Sequence, residues 1–188
     1  MPDYYREDKS ALIALFNVFA SYYIRQGRMT SDRTQKQQSF NQATQLFNKA
    51  DKIDPKEEIT WVVKAFLFLF RNEPGRADKQ FQSLLEQNPN NIPALLGHAS
   101  ILFQEGKYSE ASSLYKKVIM LNPECPPSVR MGLAHCFNKL GQTHLCRKAL
   151  ERVLDLETSD EIRVDALIGL AILSKNEGRG NDFSDHVQ

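Results

Sequence analysis

The 188-residue chain has little of what most functional classes require. No apolar run approaches the ~20 residues that span a bilayer; the longest, at positions 61–70, is broken by Lys64. No membrane-spanning helix is therefore expected. The first ten residues mix Arg6 and Lys9 with Asp3, Glu7 and Asp8 ahead of any apolar segment, unlike a secretory or transit leader. Neither sign of charge is in excess: 24 Lys and Arg stand against 23 Asp and Glu, for a net charge of +1. Without a basic footprint, direct nucleic-acid binding is not expected. Cysteine is scarce and odd in number, at Cys125, Cys136 and Cys146, which predicts free thiols in a reducing compartment rather than a disulfide framework. There is no glycine-rich phosphate loop. The carboxylates sit mainly beside Lys or Arg on positions that read as solvent faces. The expectation is a chain with no catalytic residues, no enzymatic activity and no cofactor.

One cluster of metal-ligating types does occur, at His135, Cys136, His144 and Cys146. Adjacent residues on a helix point in different directions, and the paired short spacings of structural zinc sites are absent, so no metal site is expected. His98 reads as a packing residue rather than a proton carrier.

What the chain does have is a period. Prolines preceded by Asp or Asn stand at Pro55, Pro89 and Pro123, 34 residues apart. The same interval relates Ala43, Ala77 and Ala111, and again Phe47, Phe81 and Tyr115. Each column has a mechanical reason. A small residue lets two helices approach, an aromatic four residues later shares its helical face, and proline prevents continuation. A second set of alanines, Ala20, Ala65, Ala99, Ala134 and Ala171, marks the first helix of each pair. Seven residues after four of these stands a glycine, Gly27, Gly106, Gly141 and Gly178, with Asn72 in the remaining unit; this is where a turn between paired helices needs positive φ.

The columns also break. Ala20 and Ala43 are 23 residues apart, whereas Ala65 and Ala77 are 12 apart, so an insertion lies at 29–40 that either lengthens the helices or loops out. Cys146 and Leu150 replace the small and aromatic residues of the fourth unit, and Thr158 its proline. Thr158, Ser159, Asp160 and Glu161 read as the cap of a last first-helix ending near Gly178, which leaves 181–188 for its partner. The stack is thus expected to be unfinished, as a piece of a longer protein.

This periodicity resembles the tetratricopeptide (TPR) repeat, a 34-residue helix-turn-helix unit. The implied fold is all-α, a right-handed superhelical solenoid of about four and a half TPR helix-turn-helix repeats. A single domain over 1–188 would comprise units at 10–57 with the 29–40 insertion, 58–91, 92–125, 126–160 and an incomplete 161–188. In such stacks the concave face is formed by first-helix positions three before and one, four and five after the close-packing alanine. Those positions give a largely apolar strip as the candidate partner site: Val62, Phe66, Leu69 and Phe70, then Leu96 and Phe103, then Met131 and His135. The Lys and Asn pattern of TPR domains that clamp a chaperone's carboxylate tail is missing from them.

A narrower resemblance rests on residues that the repeat does not demand: NNIPALLG at 90–97, the NPxCP turn at 122–126, VRMGLAHCFxKL at 129–140 and QATQLFNKADKI at 42–53. Together these are similar to the TPR scaffold subunit of the Paf complex, the RNA polymerase II-associated elongation factor, in its amino-terminal portion. The resemblance implies a nuclear scaffold for transcription elongation and coupled histone modification. Its partners would be other Paf-complex subunits, held as an extended segment on the TPR surface, with RNA polymerase II reached indirectly. A TPR adaptor for chaperones or another assembly is the alternative, followed by a helical-repeat RNA-binding module.

Overall fold

The computed structural model describes the backbone of residues 4–156 and 159–184, and side chains between 8 and 176. Among the described residues there are nine helices and no strand: α1 (Tyr4–Met29), α2 (Arg33–Ile53), α3 (Glu58–Phe70), α4 (Pro74–Gln87), α5 (Ile92–Gln104), α6 (Tyr108–Leu121), α7 (Pro127–Lys139), α8 (Thr143–Asp155) and α9 (Asp160–Ser184). No described helix is long and apolar enough to cross a membrane.

The Asp/Asn–Pro column ends every second helix that carries it. Asp54, Asn88 and Asn122 cap α2, α4 and α6 in extended backbone, with φ of −144, −133 and −140°. A following proline disfavours helical geometry at the residue before it. The Asp54 and Asn88 side chains then accept hydrogen bonds from the backbone N–H of Lys56 (2.9 Å) and Asn90 (3.2 Å), turning the chain toward the next helix.

Three hairpins reverse by one device. Asn72, Gly106 and Gly141 have φ of 61, 81 and 69°. The next residue's N–H reaches back to the last turn of the first helix: Glu73 to Phe68, Lys107 to Leu102 and Gln142 to Phe137, each at 2.9 Å. Gly27 and Gly178 do not join them, contrary to the sequence reading. Gly27 is inside α1, because the insertion carries both helices past the point where the other hairpins turn; the link is 30–32, with Asp32 accepting from the N–H of Thr34 at 2.7 Å. The 29–40 insertion therefore lengthens the helices rather than looping out. Gly178 lies within α9, which runs on to Ser184. Glycine weakens a helix by about 1 kcal/mol but turns it only where packing reverses the chain. Ser159 caps α9, its hydroxyl accepting from the N–H of Ile162 at 3.5 Å, while Thr158 and 185–188 are outside the described residues.

The described residues fall into two compact units dividing after Gly97, within α5. In the first, Ala20, Ile24, Phe40, Ala43, Phe47 and Leu67 form a buried cluster. The Asn17 amide and the Thr60 hydroxyl, both buried, exchange hydrogen bonds of 3.0 and 3.1 Å between α1 and α3. Lys64 pairs with Asp51. In the second unit, Leu133, Ala134, Phe137, Cys146, Leu150, Val153, Ala166 and Leu173 join α7, α8 and α9. Leu102, Ala111 and Cys136 form a smaller cluster beside them. The close-packing alanines are fully shielded at Ala20, Ala65, Ala99 and Ala134, whereas Ala171 is exposed. Ala166 and Leu173 on the same helix are buried against α8.

Close approach is obtained by a column the sequence reading did not use. Gly97 receives the ring of Phe81, Gly132 the ring of Tyr115, and Gly169 the side chain of Leu150. In each case the large residue of one hairpin's second helix seats on a glycine of the next first helix.

Candidate functional site

In the first unit, Val62, Phe66, Leu69 and Phe70 on α3 and Leu96 on α5 are all half-buried. Two spend part of their surface on internal packing. Phe66 meets Phe81 edge-on, with centroids 5.3 Å apart, and Phe70 packs against the Phe40–Phe47 cluster with the Arg28 guanidinium 4.4 Å above its ring. In the second unit, Phe103 is half-buried against Leu102, Ala111 and Cys136 and meets Tyr108 edge-on at 5.2 Å. Met131 is buried at 7% exposure, and His135 is exposed.

Met131 and His135 are brought together. With Asn138 on the same helix they form one wall of a pocket of about 310 Å³; Asp165, Ile168 and Ile172 of α9 form the other, and Cys146 and Leu150 lie at its base. Ile168 and Ile172 keep 53% and 52% of their surface exposed, so this apolar area is available to a ligand without disturbing the core. His135, Asn138 and Asp165 add hydrogen-bonding groups at the rim, the composition of a site that holds a side chain and orients a backbone. Ile168 and Ile172 were legible: they stand three before and one after Ala171, the offsets that gave Met131 and His135 around Ala134. Asp165 carries no such signal.

The cysteines are packing groups. Cys125, Cys136 and Cys146 are all buried free thiols. Burial pushes the Cys136 thiol up to about 11 and raises that of Cys146 despite the neighbouring Arg147. Thiols held protonated are poor nucleophiles and poor metal ligands. His135 is exposed while Cys136 is sealed against Leu102 and Ala111, so the two adjacent side chains diverge.

Helical hairpins of this register, reversed by positive-φ turns and stopped by Asx–Pro, define an all-α tetratricopeptide-repeat chain. The Tetratricopeptide repeat family signature matches residues 102–171. The chain superposes on the pilF protein of Pseudomonas aeruginosa with a TM-score of 0.74 at 19% identity, covering 92% of this chain and 72% of that one. By sequence it is a relative of the CTR9 proteins. It is 39% identical over 171 residues to Protein CTR9 homolog of Arabidopsis thaliana, and 31% identical over 177 residues to RNA polymerase-associated protein CTR9 of Caenorhabditis elegans. These matches cover 91% and 92% of this chain but only 15% of each relative's own length.

Proposed function

We propose that the chain is a protein-interaction scaffold in a nuclear, RNA polymerase II-associated elongation assembly, and that its first helices hold an extended segment of another Paf-complex subunit. The reading is carried by one observation: identity to CTR9 proteins, one of them named RNA polymerase-associated, runs along nine-tenths of the chain. The role is one of binding rather than catalysis, with the polymerase reached through the assembly. In the second unit the α7–α9 pocket is the contact surface, with Ile168, Ile172 and His135 the most accessible anchors and Phe103 offering its outer face; in the first unit Val62, Phe66, Leu69, Phe70 and Leu96 offer theirs as a surface of its own.

The test is affinity purification of the tagged full chain from nuclear extract, beside a variant carrying Ile168→Glu and Ile172→Glu. Both side chains are half in solvent, so the variant is expected to keep its helicity and melting. The wild type should recover polymerase-associated factors. Binding of the recovered subunit should weaken by at least ~2 kcal/mol in the variant, the scale of an interface hot spot. Recovery of chaperones alone would overturn the assembly; undiminished binding by the variant would overturn the pocket.

A further inference from the structure

The lengthened α1–α2 hairpin builds a second site in the first unit. A pocket of about 340 Å³ opens between the start of α2 and the end of α3, lined by Arg33, Lys36, Phe40, Phe70, Arg71 and Glu73 among others. Phe40 and Phe70 are its aromatic lining, and Arg33, Lys36 and Arg71 its cations, beside the amides of Gln37 and Asn72. Arg28 stacks on Phe70, and the Lys36 ammonium lies 5.9 Å from the Phe40 ring centroid. Arg71 is held in place by bonds from its Nη2 to Asn41 Oδ1 (3.2 Å) and Thr44 Oγ1 (3.1 Å), while its buried Nε–H has no partner among the described residues. The lining carboxylate, Glu73, is already bridged to Arg76 at 2.6 Å. In a chain of net charge +1, three lining cations, Arg33, Lys36 and Arg71, with Arg28 stacked on the lining Phe70, are a local concentration of positive charge.

We propose that this pocket docks an acidic, carboxylate-rich segment of a partner protein that also carries an apolar side chain for the Phe40–Phe70 lining. Carboxylates match a fixed guanidinium and flanking ammonium groups. A phosphate cradle is not built here, since the first N–H groups of α2, those of Thr34 and Gln35, are taken by the Asp32 carboxylate. The near-neutral composition also supplies no excess of basic residues of the kind that neutralises a nucleic-acid backbone. The segment at 29–40 is thus a binding element and not merely a longer hairpin.

The experiment is fluorescence anisotropy with the purified full chain at low salt. The probe is a labelled dodecapeptide of Asp and Glu with two central Leu residues. Arg33→Glu with Lys36→Glu, both exposed positions, should weaken binding about tenfold or more, because the local field is reversed. The control pair Lys52→Glu with Lys56→Glu, exposed elsewhere in the same unit, should leave binding within about twofold, as expected of distant charges at a specific site. Circular dichroism checks the fold, and Arg33→Gln with Lys36→Gln replaces the reversal pair if that pair melts early. Equal loss in the control pair would overturn the proposal, as would equal binding of the Asn/Gln version of the peptide. Tighter binding of a phosphorylated peptide of the same length, or displacement by a single-stranded RNA oligonucleotide, would overturn the carboxylate assignment.

Discussion

Gly97 lies so close to the ring of Phe81 that a Cβ added at Gly97 would stand 2.2 Å from Phe81 Cζ. Phe81 is fully buried and has no room to retreat. Gly97→Ala gains up to ~1 kcal/mol of helix propensity but forces overpacking that costs ~1–3 kcal/mol, so the expected outcome is a net loss in urea melts. Gly75 is the counter-case: it lies in the first turn of α4 with nothing within 4 Å of a built Cβ. Gly75→Ala is expected to leave stability unchanged or raise it by up to ~1 kcal/mol. If the two substitutions shifted the midpoint alike, the Phe81 contact would not be the cause.

The Asn17–Thr60 pair supplies a polar prediction. Thr60→Val keeps the shape of the side chain but removes the hydroxyl that both donates to and accepts from the buried Asn17 amide. Leaving that amide unsatisfied should cost ~1–3 kcal/mol. The double change Asn17→Leu with Thr60→Val should recover part of the loss, and a double-mutant cycle measures the coupling.

Alkaline pH should weaken the fold. Burial raises the Cys136 thiol from its ordinary 9.0 to about 11, and raises the Tyr115 phenol with a further push from Cys136. Between these limits the unfolded chain sheds protons that the folded chain retains. The stabilisation is therefore complete below pH 9.0 and is lost as pH rises toward about 11. Thermal melts should fall over that window, and Cys136→Ala should make the fall shallower. Native Cys136 should also resist an alkylating reagent at neutral pH until the chain unfolds.

Phe70 and Phe103 should behave as framework more than as contact. Each has one face against a buried cluster, so Phe70→Glu or Phe103→Glu brings a carboxylate against apolar packing and should cost ~2–4 kcal/mol. Ile172→Glu, by contrast, should cost less than ~0.5 kcal/mol, as a change at a largely exposed position. Equal melting of all three variants would place Phe70 and Phe103 on the free surface.

The repeat was legible in sequence because its columns do single mechanical jobs at a constant interval. Asn72, Gly106 and Gly141 turn, Asp54, Asn88 and Asn122 stop, and the alanines close the hairpins. Where a residue type serves two jobs, sequence misled. Gly27 looked like a turn but is a seat for Phe40, whose ring would be 2.7 Å from an added Cβ. The 33–40 stretch is so polar that only its contact through Phe40 distinguishes a helix from a loop. The Gly97, Gly132 and Gly169 column escaped notice because its spacings, 35 and 37, drift with the turns between units. For the candidate site, the helical offsets picked out Met131 and His135, which line one wall of the α7–α9 pocket. They could not tell that Met131 is mostly buried, that Phe70 and Phe103 are half committed to packing, or that Asp165 completes the rim, since these depend on which neighbour each face meets.

The glycine seats also bear on how variation in this chain should be interpreted. Glycine has no smaller substitute, so at Gly97, Gly132 and Gly169 every replacement moves in the same direction, toward a larger side chain. A survey of variants would find these positions among the least tolerant in the molecule, and such intolerance is easily taken for the mark of a ligand. Here it would report only that one helix rests on the next, whereas positions proposed to meet a partner, such as Ile168 or Lys36, would pass a stability screen unnoticed.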